Sequence, residues 1–436
     1  MTAIVGVINA QGIAIAADSA VTVSGSKGTK VYNKGNKLFT LSKYHPIGIA
    51  IYGSASFMGI PLETLIKMYR AKLGKKGFDK VEDYKLDFLK FLKTNLPHVS
   101  NDFKTNSFFS YCHTNYLALL ELIEEGINVG KDAISKVPDT ATHNTILDGI
   151  FKEISKNYEA EIASYTKSKT VAFNYDPFVK FYSVQLENIC DELLKTIIKD
   201  FPDYVFSQDI RSSIKKLFFN VVNLDAIWEA STGLVFVGFG EKEIYPSSQL
   251  VTIGSVIMDT IRHQFDDPVQ IIPGSKDSNI LPYVQGDVTW TVLSGIDPAY
   301  KKEVHNSISE AFNTISDEIV KKILNTDDAK AMSDVIKATS KELIASLENY
   351  KFETITRPLL ETLTNMGKED MAELAESLVN ITSLKRKFAS LDSSEESVGG
   401  PVDVAVITKG DGFVWMKRKH YFDMEINKGF FEKYYN

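Results

Sequence analysis

The second residue of the chain is a threonine, and a threonine with a free α-amine carries a nucleophile and a base on one residue. Its hydroxyl attacks poorly until a base takes the proton. An α-amine with a pKa of roughly 8 is partly neutral near pH 7 and can serve as that base. β-Branching leaves the Thr2 side chain few rotamers, so the hydroxyl stays aimed. The product of attack on an amide is an acyl-enzyme ester on Thr2, which water then hydrolyses. All of this requires loss of Met1, and methionine ahead of a small residue such as threonine is the kind of start that aminopeptidases trim. Further along, Asp18 ends an apolar run, and Lys34 and Lys37 lie in a glycine-containing polar stretch. Taken singly, Thr2 reads as a frayed terminus, Asp18 as a turn or cap residue, and the lysines as solvated.

The elements that hold these residues are strands at first. Residues 3–8 (AIVGVI) and 13–17 (IAIAA) are short apolar runs joined by a turn containing Gly12. LFTL at 38–41 and IGIAIYG at 47–53 follow a polar stretch with Gly25, Gly28 and Gly35. Strands this apolar are covered on both faces, which predicts a sandwiched sheet. From Pro61 the period becomes helical, with proline at a helix start where its missing N–H costs nothing. Tyr84, Phe88, Phe91 and Leu92, and later Leu147, Ile150, Phe151 and Ile154, recur at helical spacing, so 75–228 reads as an inserted helical block. Strands return at 232–239 and 243–253, and VTWTVLSG at 288–295 fits either a strand or a helix entry. Ile308, Phe312, Ile315 and Ile319 open a long helical stretch reaching about 348, and Met371, Leu374, Leu378 and Ile381 mark another helix. Two strands, 402–408 and 412–418, close the chain around a Lys409–Gly412 turn. This order favours two antiparallel sheets with outer helices over a parallel, doubly wound fold.

Composition narrows the function. With 44% hydrophobic and 24% charged residues, the chain has the make-up of a soluble globular protein with a large core. A net charge of -7 argues against nucleic-acid binding. No window approaches the ~20 apolar residues of a membrane span, and the N-terminus lacks the basic start of a targeting segment. Cys112 and Cys190 are too few for a disulfide framework, lie far from metal-ligand spacing and fit a reducing cytoplasm as buried helical thiols. His263, His305 and His420 are scattered and predict neither a metal nor a base.

The opening MTAIVGVINAQGIAIAADSAVT resembles the mature start of proteasome β subunits and the bacterial HslV-type threonine peptidases. Those chains begin with Thr, run strand–Gly turn–strand, and carry their active-site Asp sixteen positions on, which is the spacing from Thr2 to Asp18. By the same resemblance, KGNKLFTL offers Lys37 as the catalytic lysine, with Lys34 the weaker choice. IGIAIYGSAS puts Gly53 where a glycine N–H forms the oxyanion hole, with Ser54 replacing a second glycine. EESVGGPVDVAVI matches the family's C-terminal loop at Gly399-Gly400, but Glu395 and Val398 stand where the family has Asp and Ser. Ser294-Gly295 is the best match to a supporting Ser-Gly, and Ser397 is a one-residue-shifted substitute for the missing loop serine.

The resemblance implies an α+β fold, the four-layer αββα sandwich of N-terminal-nucleophile (Ntn) hydrolases. Residues 2–74 and 229–436 would form its core, and 75–228 a helical insertion that the family, around half this length, does not have. It implies a cytoplasmic threonine-type peptidase with Thr2, Asp18, Lys37, Gly53 and Ser294 at its site and no cofactor or metal. The implied substrate is a peptide or unfolded protein, the implied state a homo-oligomer, and the implied helper an ATP-dependent unfoldase, with specificity set by residues 20–30 and around Ser54. Two other readings stay open: an Ntn amidase acting on a small-molecule amide, and a non-catalytic assembly subunit, which Glu395, Val398 and the long insertion favour.

Overall fold

Residues 4–9 and 12–17 are buried at every position because the hairpin they form lies between two apolar layers. The computed structural model describes residues 2–25, 28–96, 99–134, 136–137, 139–164, 173–224, 226–227, 231–322, 326–389, 399–420 and 425–429. The chain begins with β1 (Ile4–Asn9), β2 (Gly12–Ala17), a hairpin of β3 (Val21–Gly25) and β4 (Gly28–Tyr32), β5 (Leu38–Thr40) and β6 (Ile47–Gly53). A two-residue hairpin of β7 (Ser56–Phe57) and β8 (Ile60–Pro61) leads into α1 (Leu62–Leu73) and α2 (Val81–Thr94). Then come α3 (Asn101–Ile134), α4 (Thr140–Ser164), α5 (Tyr175–Phe181), α6 (Ser183–Ile198) and α7 (Gln208–Asn223). Strands resume with β9 (Thr232–Gly238), β10 (Ser247–Ile257), β11 (Thr260–Phe265), β12 (Val269–Gln270) and β13 (Ser278–Val284). The last third holds α8 (Asp287–Ser294), α9 (Pro298–Val320), α10 (Thr326–Lys351), α11 (Arg357–Thr364), α12 (Lys368–Ala389), β14 (Asp403–Thr408) and β15 (Gly412–Lys417).

The strands build two large antiparallel sheets, one in the order β13-β1-β2-β14-β15 and the other β11-β10-β9-β6-β5. Ile4, Ile8, Ile13 and Ile15 on the first sheet meet Leu38, Ala50, Val235 and Val237 on the second, which is the central core. The opposite face of the first sheet, through Val5, Val7, Ala14 and Ala16, packs on Met371, Ala375, Leu378 and Val379 of α12. The outer face of the second sheet, through Ile49, Ile51, Leu234 and Phe236, packs on Leu62, Ile66 and Tyr69 of α1 and Tyr84 and Phe88 of α2. The layers therefore run helices, sheet, sheet, helices.

A separate apolar core unites α3 to α7, including Phe108, Phe151, Phe178, Tyr182, Leu193 and Phe218. This block begins at α3, later than residue 75: α2 packs on the sheet, because its apolar stripe faces β9 and β10. The block is pinned to the tip of the β10–β11 hairpin. There the buried Arg262 guanidinium donates to the carbonyls of Val222, Leu224 and Ala226, and the Met258 N–H donates to the Tyr182 hydroxyl at 2.7 Å. Both cysteines are buried in this block, on α3 and α6, and burial pushes the Cys190 thiol up to about 12.

The stretch at 288–295 is helical and ends at Gly295 in the left-handed region (φ +68°). The strand expected from 243 starts at Ser247 instead. Pro246 has no N–H to give a ladder, and the Glu243 carboxylate accepts the N–H groups of Val81 and Gly240 at 2.9 and 2.7 Å, holding a turn. Among the described residues no helix is long and apolar enough to cross a membrane.

Candidate active site

The β1–β2 register sets Ile4 opposite Ala17, so Asp18 emerges beside Thr2 and Ala3. The Asp18 N–H donates to the Ala3 carbonyl at 3.1 Å, and the Ala3 N–H donates back to Asp18 Oδ1 at 2.8 Å. The same oxygen accepts the Lys37 ammonium at 2.7 Å. The other, Oδ2, accepts the N–H groups of Ala20 at 3.1 Å and Gly399 at 3.2 Å. Four donors thus converge on one carboxylate that is 1% exposed; Lys37 is 5% exposed and Thr2 8%. Lys37 is fixed from behind, its carbonyl accepting the Ile51 N–H at 2.8 Å. Thr2, Lys37 and Gly53 line a common cleft of about 300 Å³, together with Ala20, Asn36 and Gln285.

Gly53 ends β6 in the left-handed region (φ +80°), and a Cβ there would lie 2.2 Å from the Ser231 carbonyl oxygen, so only glycine fits. Amide directions alternate along a strand. The Ile51 N–H points to the β5 side, toward Lys37, while the Ser54 N–H points to the β9 side, toward Ser231. The Gly53 N–H, two residues past Ile51, therefore points to the β5 side, beyond the last β5 pairing at Leu38 and toward the cleft. Behind Asp18, the Ser19 N–H donates to the Gly399 carbonyl at 3.1 Å. Gly400 takes φ +74° where a Cβ would sit 2.7 Å from the Asn33 carbonyl oxygen. The glycine pair thus brings the C-terminal segment close enough to cap the Asp18 carboxylate.

Burial pushes the Lys37 ammonium below its ordinary 10.5; the Asp18 carboxylate pulls it back, and the Lys419 ammonium adds to the fall. Lys419 belongs to a second shielded ion pair, donating through both its N–H and its ammonium to Asp403. Asp403 is opposite Ala17 in the β2–β14 register, next to Asp18. Two cations and two carboxylates thus share the end of the first sheet.

No family model matches the chain, and no curated protein matches it either. Among solved structures it is similar to "Anbu (ancestral beta-subunit) from Yersinia bercovieri", at 10% identity over 99% of this chain and 94% of that one, with a TM-score of 0.25. A likeness of that size bears on neither the fold nor the chemistry.

Thr2, Asp18, Lys37 and Gly53 are brought together, and Lys34 is exposed on the turn after β4. Ser294 is not brought to the cleft. It sits at the far end of α8, where its hydroxyl donates to the Trp290 carbonyl at 2.6 Å and lies 3.0 Å from the Ile296 carbonyl. Ser397, Glu395 and Val398 lie outside the described residues. The sequence reading missed Gln285. It follows β13, whose Val284 is opposite Ile4, and so reaches the cleft alongside Ala3. Its φ of +52° costs a non-glycine residue about 1–2 kcal/mol. Its Oε1 accepts from Arg386 at 3.0 Å, and its Nε2 is shielded with no partner among the described residues. A signal was present: Gln285-Gly286, like Ser294-Gly295, is a polar residue before glycine, and it stands directly at the strand end. Among the described residues no three His, Cys, Asp or Glu side chains form a group able to hold a metal ion.

Proposed function

We propose that the chain is an N-terminal-nucleophile hydrolase of the threonine type, acting on peptide bonds once the Met1–Thr2 bond is cut. The observation that carries this reading is the Asp18 Oδ1 atom, which holds the Ala3 N–H and the Lys37 ammonium together beside Thr2. The freed α-amine takes the Thr2 hydroxyl proton as Oγ1 bonds to the amide carbon. The Gly53 N–H stabilises the oxyanion. The C–N bond then breaks, the leaving amine takes the proton from the α-amine, and water cleaves the Thr2 ester with the amine again as base. Lys37 keeps a positive charge near the α-amine, which favours its neutral form at working pH. The helix–sheet–sheet–helix layering supports the αββα Ntn architecture, with residues of the block from α3 to α7 as an inserted domain. The resemblance of the first 55 or so residues to HslV-type chains supports a cytoplasmic homo-oligomer that encloses its sites and takes unfolded chains from an ATP-dependent unfoldase.

The test is intact mass after reaction with a β-lactone or epoxyketone. Loss of Met1 with one adduct mapped to Thr2 is the expected result. A chain that retains Met1 when assembled, or a trimmed chain that takes no adduct, overturns the reading and leaves the assembly-subunit role.

Lys37 also fixes a pH signature. Its folded value lies below the unfolded 10.5, so between the two the unfolded chain binds more protons and stability rises with pH. Hydrolysis needs the ammonium and falls across the same window. The expected alkaline limb of kcat/KM therefore lies below the ordinary lysine value, while urea midpoints climb over that interval. A limb at or above 10.5 contradicts the role given to Lys37.

A further inference from the structure

Ser54 stands at the edge of the Thr2 cleft. The same residue lines a second cavity of about 310 Å³, walled by Phe57 and Met58 of the β7–β8 hairpin, Phe103 of α3 and Ile253 of β10. Three local features open this space. The β7–β8 turn places Met58 and Gly59 both at positive φ (+50° and +79°), the pairing of a tight primed turn, and methionine is a strained choice there. The Phe103 ring lies over Gly59, so close that a Cβ at that position would sit 3.2 Å from it. On the far wall the β10–β11 register breaks between Ile253 and Val256, and the residues of that bulge, Gly254 and Ser255, face the cavity. The hairpin lies against the inserted block: the Ser107 hydroxyl of α3, which donates to the Phe103 carbonyl at 2.8 Å, stands 3.7 Å from the Met58 sulfur. Among the described residues no charged side chain lines the cavity; the polar groups there are hydroxyls and the Asn106 carboxamide.

We propose that this cavity is a substrate subsite for an uncharged, apolar side chain of the peptide, built jointly by the core and the inserted helix α3. The inference rests on the hydrolase reading above and adds a substrate class to it. The wall shared at Ser54 sets the occupant on the chain held at Thr2, at a residue removed from the scissile bond. An aromatic or long aliphatic side chain meets Phe57, Met58, Phe103 and Ile253, whereas an ionised one finds no countercharge and is rejected on desolvation. The insertion thereby acts on specificity, because without α3 the cavity has no outer wall.

Phe103 and Asn106 are exposed enough for substitution without disturbing a core. The experiment scans a fluorogenic peptide library with wild type, Phe103→Lys, Phe103→Glu and the milder Asn106→Asp, alongside Thr2 acylation by a small lactone that does not reach the cavity. Wild type is expected to prefer an apolar residue at one scanned position by about 10-fold or more in kcat/KM. Phe103→Lys should move that preference toward Glu, and Phe103→Glu and Asn106→Asp toward Lys, with lactone acylation unchanged. Unaltered preferences at every position in all three variants overturn the subsite while leaving the hydrolase intact. Anisotropy of the same peptides on the Thr2→Ala chain reads the cavity without chemistry. Binding preferences that shift with the variants, in a protein whose Thr2 takes no lactone, would sustain the subsite and sink the hydrolase. The same anisotropy with no shift would sink the subsite as well.

Discussion

Thr2→Ala, with its N-terminal residue exposed, is expected to lose hydrolysis by on the order of 10⁴–10⁶-fold, the scale seen when a catalytic nucleophile is deleted. The loss should fall on kcat, because the methyl group of alanine leaves the cleft walls of Lys37, Gly53 and Gln285 untouched. Thr2→Ser keeps both the hydroxyl and the α-amine and should retain covalent labelling. It should act more slowly than wild type, since the unbranched side chain spreads over more rotamers. Measured kcat and KM with a fluorogenic peptide, with intact mass after lactone treatment, check both variants. Wild-type turnover in Thr2→Ala would remove Thr2 from the chemistry. Inactivity of Thr2→Ser alongside an active wild type would point to the threonine methyl as a packing requirement.

Asp18→Asn carries the second large effect, and it strikes stability and chemistry together. The carboxylate accepts from Ala3, Ala20, Gly399 and Lys37. An asparagine amide can offer only its oxygen to these donors, and its NH2 faces further donors. The Lys37 ammonium is then left buried without a counterion, a situation that costs about 3–5 kcal/mol. Lys37 is nearly inaccessible, so water screens little of that cost. The urea midpoint should drop accordingly, and hydrolysis should fall because a lysine that has lost its carboxylate partner gives up its proton more readily and, once neutral, no longer assists the α-amine. A second variant separates the two consequences. Asp18→Asn combined with Lys37→Met removes the orphaned charge and should recover much of the lost stability while remaining inactive. If Asp18→Asn alone unfolds at the wild-type midpoint, the pair does not hold the site together. If the double variant hydrolyses normally, neither residue belongs to the mechanism.

How much of this was legible in the residues differs by element. The β1–β2 hairpin and the Asp18 position were readable because both are local. Apolar runs with a glycine turn fix a two-strand register, and that register fixes which residue emerges beside Thr2. Lys37 and Gly53 were readable through their places at strand ends and through the resemblance to HslV-type chains. The misplacement of Ser294 has a plain cause. The segment 285–295 contains two polar–Gly pairs, and which of them ends a strand depends on the antiparallel pairing of β13 with β1. That pairing joins residues 269 to 280 positions apart, beyond the reach of any local pattern. The assignment of α2 to the insertion failed for a similar reason. Amphipathic periodicity says that a helix has a buried face but not which surface covers it.

The sequence by itself determined the antiparallel strand pairs that turn locally, the helical character of the long middle stretch, and the placing of a threonine at position 2 sixteen residues before Asp18. Only the tertiary structure decided that one carboxylate oxygen joins the N-terminal segment to Lys37, that Gly399 caps its other oxygen from 381 residues away, and that α3 walls a cavity beside the cleft. Each of these is a contact between segments far apart in the chain, and such contacts are selected by the burial and hydrogen-bond closure of the whole core, not by the pattern of any one window.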